Sequence, residues 1–542
     1  MEGDQNRFAS FWTGSADAVS REEFGNKAAN LAAMVSLGVP VPPGFALGVS
    51  VCEDFHRGRG RLPADVPVLL GKGIQLLEKA TGLKFGGRRR PLLVSVRSGA
   101  PVSLPGLMET ILNVGLNRET LQGLVFMSGN PRFAHDSYRR LVEGFGTTVF
   151  GQDPRPYRTL LARAQEREEV PDATELDWAT LRDLGCEYER LFQASAGTRF
   201  PQEAFEQLGL ATAAVLRSWK GPKVESFRRL GMLKGARGTA VTVQAMVFGN
   251  MGPRSGAGVM FTRDPSTGAS EPMLDFKFGV QGEDVVSGDA SAAPVMLAEV
   301  LPEVHAELLR TGRRLEQHFG DMQDLEFTVQ EGRLYILQSR AGKRAPLAAL
   351  RIAVEMEREG LVRPEGALSM LAEVDIGAIR VRRPVSEGTP MARGVPASTG
   401  VASGSVALSP ERARSSGASR PVILVRETAS PEDLPGLAAS AGLLTARGVR
   451  TSHAAVVARQ LGKVCIVDCG ALRIDVQSRR CRLGERDIPE GELITLDGNT
   501  GNVYQGRIEV VEETPAELLS AYRSWKEGRD PPREVSGSCP RA

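Results

Sequence analysis

The sharpest chemical pattern in this 542-residue chain is the segment TARGVRTSHAAVVARQLG, residues 445 to 462. A strand-like run ends there, a glycine turn follows, and His453 comes directly after Thr451 and Ser452 where helical periodicity begins. Ser or Thr at a helix N-cap satisfies backbone N–H groups that otherwise lack partners. The helix dipole disfavours an imidazolium in the first turn and favours an anion. A neutral imidazole there can act as a nucleophile, and it gains when it becomes a phosphoimidazole dianion. With only five histidines in the chain, this one stands out, because His is the usual phosphoryl or proton carrier near neutral pH. The plain alternative is a capped surface helix that contains a His.

Two further groups of residues suit phosphate chemistry. Gly25-Asn26-Lys27 opens a helix, and VRSGAPVSLPG supplies Arg97 and a flexible loop; cations with backbone N–H groups are what a triphosphate needs. Asp324-x-Glu326 and Gln338-x-Arg340 lie on strand patterns, where residues two apart share a face. A three-residue hairpin loop at Glu331-Gly332-Arg333 would set Glu326 opposite Gln338 and Asp324 opposite Arg340, whereas a two- or four-residue loop would turn Gln338 to the other face. A carboxylate and an amide converging in this way suit Mg²⁺ with nucleotide phosphates. Ordinary turns and an exposed polar strand face are the bland alternatives. Nucleotide, metal and a lone nucleophilic His together describe an autophosphorylating enzyme.

These residues need elements to position them. KAANLAAMVSLG reads as a helix ending at Gly38, LLVSV (92–96) as a buried strand, and 130–232 as mostly helical. TAVTVQAMVF (239–248) alternates like a strand, GVMFTRD is another, and 324–338 reads strand, turn, strand. Pro346 to Leu371 reads as one amphipathic helix, followed by a Pro- and Gly-rich linker, RRPVSEGTPMARGVPASTGVASG. Beyond it VILV, a helix near 431–440, GLLTA, a helix from Ser452, VCIV and the pair ELITLDG–NVYQG alternate, which predicts a compact α/β domain of about 120 residues. The segment after Pro531 is expected to be disordered.

Composition narrows the class. Lys and Arg total 67 against 65 Asp and Glu, a net charge of +2, so no nucleic-acid partner is expected. No run reaches the roughly 18 apolar residues of a membrane span, and MEGDQNRFASFW carries none of the features of a secretory signal. A cytoplasmic protein with no membrane partner is expected. The six cysteines lack the paired spacing of a zinc site and are expected to be buried, reduced thiols. His135 is expected to be structural, and His305 and His318 solvated.

Several blocks, taken in order, resemble the pyruvate, phosphate dikinase family over almost the whole chain: GNKAANLAAM, PLLVSVRSGA, LPGLMETILNVGLN, NPRFAHDSYRR, GTAVTVQAMVFGN, FTRDPSTG, QGEDVVSG, DLEFTVQEGRLYILQSRAGKR, VPASTGVASG, TSHAAVVAR and LDGNTGNVYQG. The resemblance implies an α/β chain. It would comprise a two-lobed ATP-grasp nucleotide-binding region (1–345), a helical linker (346–388), a swivelling phosphohistidine domain (389–512) and a C-terminal tail (513–542). By matching motif, Lys27 and Arg97 correspond to triphosphate-binding cations, and Gly106 and Met108 lie in the phosphate-covering loop. Gln244 and Met246 would line the adenine pocket, and Asp324, Glu326, Gln338 and Arg340 match the metal- and phosphate-binding cluster, with Glu326 and Gln338 toward Mg²⁺. His453 matches the phosphorylated histidine, with Thr451 beside it. In the family that His takes the β-phosphoryl of ATP while the γ-phosphoryl goes to inorganic phosphate; AMP and pyrophosphate leave, and the phosphohistidine then serves pyruvate.

Two departures accompany the likeness. Gly448-Val449-Arg450 stands where the family has Gly-Gly-Met, so a positive φ at the second position would strain Val449. The related phosphoenolpyruvate synthase also carries Arg there, but with Cys before its His. The family's pyruvate- and phosphoenolpyruvate-binding barrel, typically about 250 residues, does not fit in the 36 residues after Gly506. The barrel is therefore expected from a separate chain. The alternatives are a phosphotransferase to another small molecule, as in the rifampin phosphotransferases, and a nucleotide-binding regulatory protein without turnover.

Overall fold

The computed structural model describes residues 7–528 except 13–14, 17–18, 101–109, 230–232, 234, 283, 285–294, 386–387 and 430–432. The chain divides into two compact units. One comprises Met1–Ala257, Phe278–Gln281 and Phe327–Ser339, and the other Gly258–Lys277, Gly282–Glu326 and Arg340–Ala542. The expected mixed α/β class is what the structure has. Among the described residues no helix is long and apolar enough to cross a membrane.

The first unit is built on an antiparallel sheet of β1 (Phe8–Trp12), β2 (Gly44–Leu47), β3 (Val94–Gly99), β4 (Thr110–Val114) and β5 (Ala240–Ala245). Its order is Ser15–Ala16, β1, β2, β5, β3, β4. Phe45 and Leu47, Val94 and Val96, and Val241 and Val243 are two apart and enter one core, so the period-2 pattern aims them at the same side. The register sets Val243 between Phe45 and Val96. Each such side chain, fully buried, contributes roughly 1.5–3 kcal/mol. Helix α1 (Arg21–Ser36) starts where the Ser20 hydroxyl accepts from the Glu23 N–H, and it is interrupted at Gly25 (φ 75, ψ 164). Helices α2 (Pro131–Gly144) and α3 (Trp178–Ala196) add Phe133, Tyr138, Leu141, Leu181 and Tyr188 to the same core.

Four strands are crossed by the division between units: β6 (Gly256–Phe261), β7 (Met273–Phe278), β8 (Gln323–Gln330) and β9 (Arg333–Ala341). The expected three-residue loop between β8 and β9 is instead a two-residue turn, with Glu331 at φ 49 and Gly332 at φ 75. Glu331 is held left-handed by Ser255, whose hydroxyl donates to Glu331 Oε1 and accepts from the Glu331 N–H. Gly332 N–H donates to Arg254 O. Such a turn alone would move Arg340 away from Asp324, but the alternation of β9 slips. Leu334 and Ile336 are buried, then Ser339, with Leu337 and Gln338 both half-buried. The slip returns Arg340 to the side of Asp324.

In the second unit, α4 (Pro302–Phe319) buries Val304, Leu308 and Leu315 and stops at left-handed Gly320. The single helix expected over 346–371 is two, α5 (Pro346–Arg358) and α6 (Pro364–Met370), parted at Gly360 (φ 74). An eight-stranded sheet follows, from β10 (Val395–Ser398), β11 (Val401–Ala407), β12 (Val422–Arg426), β13 (Gly442–Thr445), β14 (Val464–Val467), β15 (Leu493–Asp497) and β16 (Asn502–Gln505). Its order is Ala392–Arg393, β16, β15, β11, β12, β13, β14, β10, with β11 to β14 parallel. Alternate residues serve opposite faces. Val422 and Leu424 pack with Leu437 of α7 (Leu434–Ala439) and with Ala454, Ala455 and Ala458 of α8 (His453–Gln460). Ile423 and Val425 pack with Leu472, Cys481, Leu483 and Ile488 from a three-stranded sheet within 472–489 that the sequence pattern does not announce. Both faces are covered, so these strands read as unbroken apolar runs. Within the stretch read as a tail, α9 (Ala516–Lys526) buries Leu519 and Trp525 against Leu350, Val354 and Ala367.

Candidate functional site

The turn that delivers His453 is assembled step by step. After β13, Ala446 N–H donates to Arg426 O and Arg447 N–H to Glu427 O, extending the parallel pairing with the end of β12. Gly448 then takes φ 137, a conformation open chiefly to glycine. Val449 is not among the residues with left-handed φ, so the strain that a lost second glycine would bring is absent. Instead Val449 is buried and its carbonyl accepts from the Ser452 N–H. The Ser452 hydroxyl caps α8 by accepting from the Ala455 N–H, and His453 is the first helical residue, as expected. The three alanines of α8 facing the sheet let the helix lie close to it.

Two residues not singled out from the sequence fix this turn within the second unit. Asp275 of β7 is buried, and its Oδ2 accepts from the Thr451 N–H at 3.3 Å. Arg459, in the last turn of α8, is 0% exposed. Its Nη1 donates to Arg450 O at 2.8 Å and to Ala397 O at 2.9 Å, tying the loop before the helix to β10. The guanidinium carbon lies 5.5 Å from the centre of the Phe261 ring. Burial pushes Arg459 down to about 10, with Cys465, Asp264, Asp324 and Asp275 opposing. The readable signals were a charge on the alanine-rich face of AAVVAR and an Asp at an inward position of MLDFKF.

Asp324, Glu326 and Arg340 come together as expected. Arg340 Nε donates to Asp324 Oδ2 at 2.7 Å, and its Nη2 lies 3.8 Å from Glu326 Oε1. Asp324 is 1% exposed, and its Oδ1 is buried without a hydrogen bond. Burial pushes the Asp324 carboxyl up, and Arg340 opposes that shift. Asp324 in turn holds Arg340 firmly charged.

In the first unit, Gly25 is forced by space as well as by φ, because a Cβ there would lie 2.2 Å from Gly99 O. This approach sets the restart of α1, where Asn26 N–H donates to Ala100 O, against the end of β3. Lys27 is buried two residues beyond Gly25, and Arg97, half-buried with Nε and Nη1 enclosed, lies two residues before Gly99. Gln244 is buried, and its amide donates to Pro42 O at 3.0 Å. Met246 packs half-buried against the core. Gln338 is half-buried on β9. Gly106 and Met108 lie outside the described residues.

Among the described residues no cluster of three or more His, Cys, Asp or Glu is placed to hold a metal. Cys52, Cys465, Cys469 and Cys481 are buried as expected, with burial pushing Cys465 and Cys481 up to about 12, but Cys186 is exposed on α3. Of the histidines expected to be bystanders, His135 is buried, His318 is exposed, and His305 is half-buried rather than solvated.

Comparison with known proteins places most of the chain in matched domains. Residues 59–304 and 297–361 match the pyruvate phosphate dikinase AMP/ATP-binding domain, and 418–501 match the mobile domain of PEP-utilising enzymes. The chain is 39% identical over 513 residues to pyruvate, phosphate dikinase 1, chloroplastic, of Arabidopsis thaliana, covering 92% of this chain and 52% of that protein. It is 38% identical over 522 residues to pyruvate, phosphate dikinase of Clostridium symbiosum, covering 94% and 59%. The chain thus spans about half the length of the curated relatives it matches. Across that span, the chain belongs to the pyruvate, phosphate dikinase family.

Proposed function

We propose that this chain is an ATP-dependent histidine autokinase that runs the nucleotide half of a dikinase reaction. ATP, inorganic phosphate and His453 react to give phosphorylated His453, AMP and pyrophosphate. The observation that carries the reading is the first turn of α8, with its Gly448 turn, Ser452 cap and Asp275 anchor. That turn presents position 453 where the helix dipole favours a gained negative charge. The imidazole attacks the β-phosphorus in line and the α–β bridging oxygen leaves with AMP; inorganic phosphate then takes the γ-phosphoryl as pyrophosphate, and the β–γ bridging oxygen stays with the β-phosphoryl on His453. Phosphoryl transfer of this kind depends on positioning and charge stabilisation more than on covalent help. Residue by residue, Lys27 and Arg97 neutralise phosphate charge, Thr451 stands beside the nucleophile, and the Asp324–Arg340 pair presents a fixed guanidinium.

Glu326 and Gln338 are the proposed Mg²⁺ residues. Both offer oxygen donors, and Mg²⁺ in nucleotide sites takes one or two protein ligands together with phosphates and water, so the absence of a larger cluster among the described residues is compatible with it. The ion, when bound, neutralises charge on the phosphates. The onward acceptor is proposed to be pyruvate, served by a phosphoenolpyruvate- and pyruvate-binding barrel. A reading without turnover drew on strain at Val449, and the φ found there removes that support.

The test is incubation with ATP labelled at the β position, with and without phosphate. Acid-labile label on His453 and release of AMP are expected, both lost in His453→Ala. No label at all, AMP release that persists in His453→Ala, or pyrophosphate formed without added phosphate would overturn the reading.

A further inference from the structure

Asn113, next to last in β4, takes φ 59 and is nonetheless 0% exposed. The other five non-glycine residues with left-handed φ among those described are all exposed. A strained backbone kept inside a core marks a position that the surrounding structure has to hold. Asn113 Nδ2 donates to Ser137 O of α2 at 3.3 Å, and the Asn113 carbonyl accepts from the Leu116 N–H. The pairing of β4 with β3 shifts across this residue, since Val114 lies opposite Val94 but Ile111 lies opposite Val96. One extra residue therefore sits in β4, a bulge whose left-handed position is usually glycine.

The bulge decides what faces Arg97. Ile111 and Val114 are three residues apart, yet both enter the core with Val94 and Val96, which strict alternation forbids. Uninterrupted pairing from Val94 and Val114 would set Leu112 against Val96 and Ile111 against Arg97. With the bulge, Thr110 takes the place opposite Arg97, and Thr242 of β5 pairs with Arg97 on its other side. Paired residues share a face, so Thr110, Arg97 and Thr242 form one polar row across three strands. Small Ala46 continues that row beyond Thr242. Thr242 is 0% exposed and its hydroxyl has no hydrogen-bond partner, so Arg97 is not tied to it.

We propose that Asn113 is a positioning residue for the triphosphate, acting through Arg97. Its left-handed bulge keeps bulky Ile111 off the polar row, gives Arg97 a small hydroxylic neighbour in Thr110, and so fixes where the guanidinium meets phosphate oxygens. Asn suits the position because it enters the left-handed region more readily than other side-chain-bearing residues. Its amide also clamps the bulge to α2, which glycine cannot do. The inference rests on the reading of Arg97 under the proposed function and deepens it by naming what places that cation.

Titration calorimetry of the full chain with ATP and with AMP, both with Mg²⁺, tests it, because AMP lacks the β- and γ-phosphates. Asn113→Val, whose branched side chain opposes left-handed φ, should weaken ATP by about tenfold or more through a displaced charged hydrogen bond. AMP affinity should be nearly unaltered. Asn113→Gly should recover most of the ATP affinity, since glycine takes the same φ without strain. Arg97→Met should show the same selective loss, and adding Asn113→Val to it should cost nothing further, as expected of residues that act as one unit. Should Asn113→Val not fold, Asn113→Ala makes the same comparison. Equal ATP binding by wild type and the folded variant, loss of ATP and AMP together, no recovery in Asn113→Gly, or additive losses would each overturn the inference and leave the reading of Arg97 standing. Wild type that does not prefer ATP to AMP would overturn that reading, and this inference with it.

Discussion

Two arginines of the second unit are almost equally buried and are treated in opposite ways. Arg263 donates to both oxygens of Glu316 and both of Glu359. Burial alone would push it down, but those carboxylates outweigh burial and raise it. Arg459 meets only two backbone carbonyls, its Nε and Nη2 are enclosed without hydrogen-bond partners, and burial prevails. The first is a closed ion cluster that holds β6, α4 and α5 in register. The second is an isolated cation placed where the loop before His453 has to be held. Carboxylate saturation, not depth of burial, separates a structural charge from a positioning one.

The comparison can be broken most forcefully at Arg263. Arg263→Met leaves Glu316 buried without its cation and should cost about 3–5 kcal/mol, read as a lower urea midpoint at unchanged slope. Adding Glu316→Leu should recover much of that loss, and failure to do so would mean that the pair is not the unit of stability. The mirror case, a carboxylate saturated by cations, is Asp136 in the first unit. Burial would raise it, but Arg140 and Arg139 outweigh burial and bring it to about 2. A depressed carboxylate stabilises above its unfolded value and loses that contribution as pH falls toward 2. The gain of roughly 2 kcal/mol at neutral pH should therefore vanish between about pH 4 and pH 2. Asp136→Asn should show a flatter acid limb over that window.

Smaller effects sharpen the contrast at the His453 turn. Ser452→Ala removes the cap of α8 and should cost about 1 kcal/mol, measured by thermal melting. Arg459→Met should change stability least, by less than about 1 kcal/mol, because relief of an isolated buried charge offsets the lost hydrogen bonds. Phosphorylation of His453 should nonetheless slow by about 10- to 100-fold as the loop loosens, with Arg459→Lys restoring part of the rate. A large stability loss with unaltered phosphorylation would erase the distinction between the two arginines.

The legibility of the chain followed the same physics. VILV, GLLT and VCIV were readable as strands because both sheet faces are covered and every residue is apolar. The three-stranded sheet at 472–489 escaped because RIDVQSRRCRLGERDIP sends only every second or third residue inward and charges the rest. The β8–β9 turn was misjudged because its left-handed Glu331 is imposed by Ser255, far away in sequence. The helical start at His453 and the Asp324–Arg340 pair were legible, since caps and strand parity are local rules. Asp275 and Arg459 were not, since a buried charge gains meaning only from what the fold brings to it.

The division of the chain carries a consequence for its synthesis. The first unit takes its last strand segment from Phe327–Ser339, after the second unit has already used Gly258–Lys277 and Gly282–Glu326. The amino-terminal sheet has all its strands by Ala245, but the first unit cannot close until Phe327–Ser339 has been made, some 80 residues beyond Ala257. A fragment cut at the apparent boundary near Ala257 would therefore strand both halves, and an expression boundary that respects folding lies beyond the return of the chain.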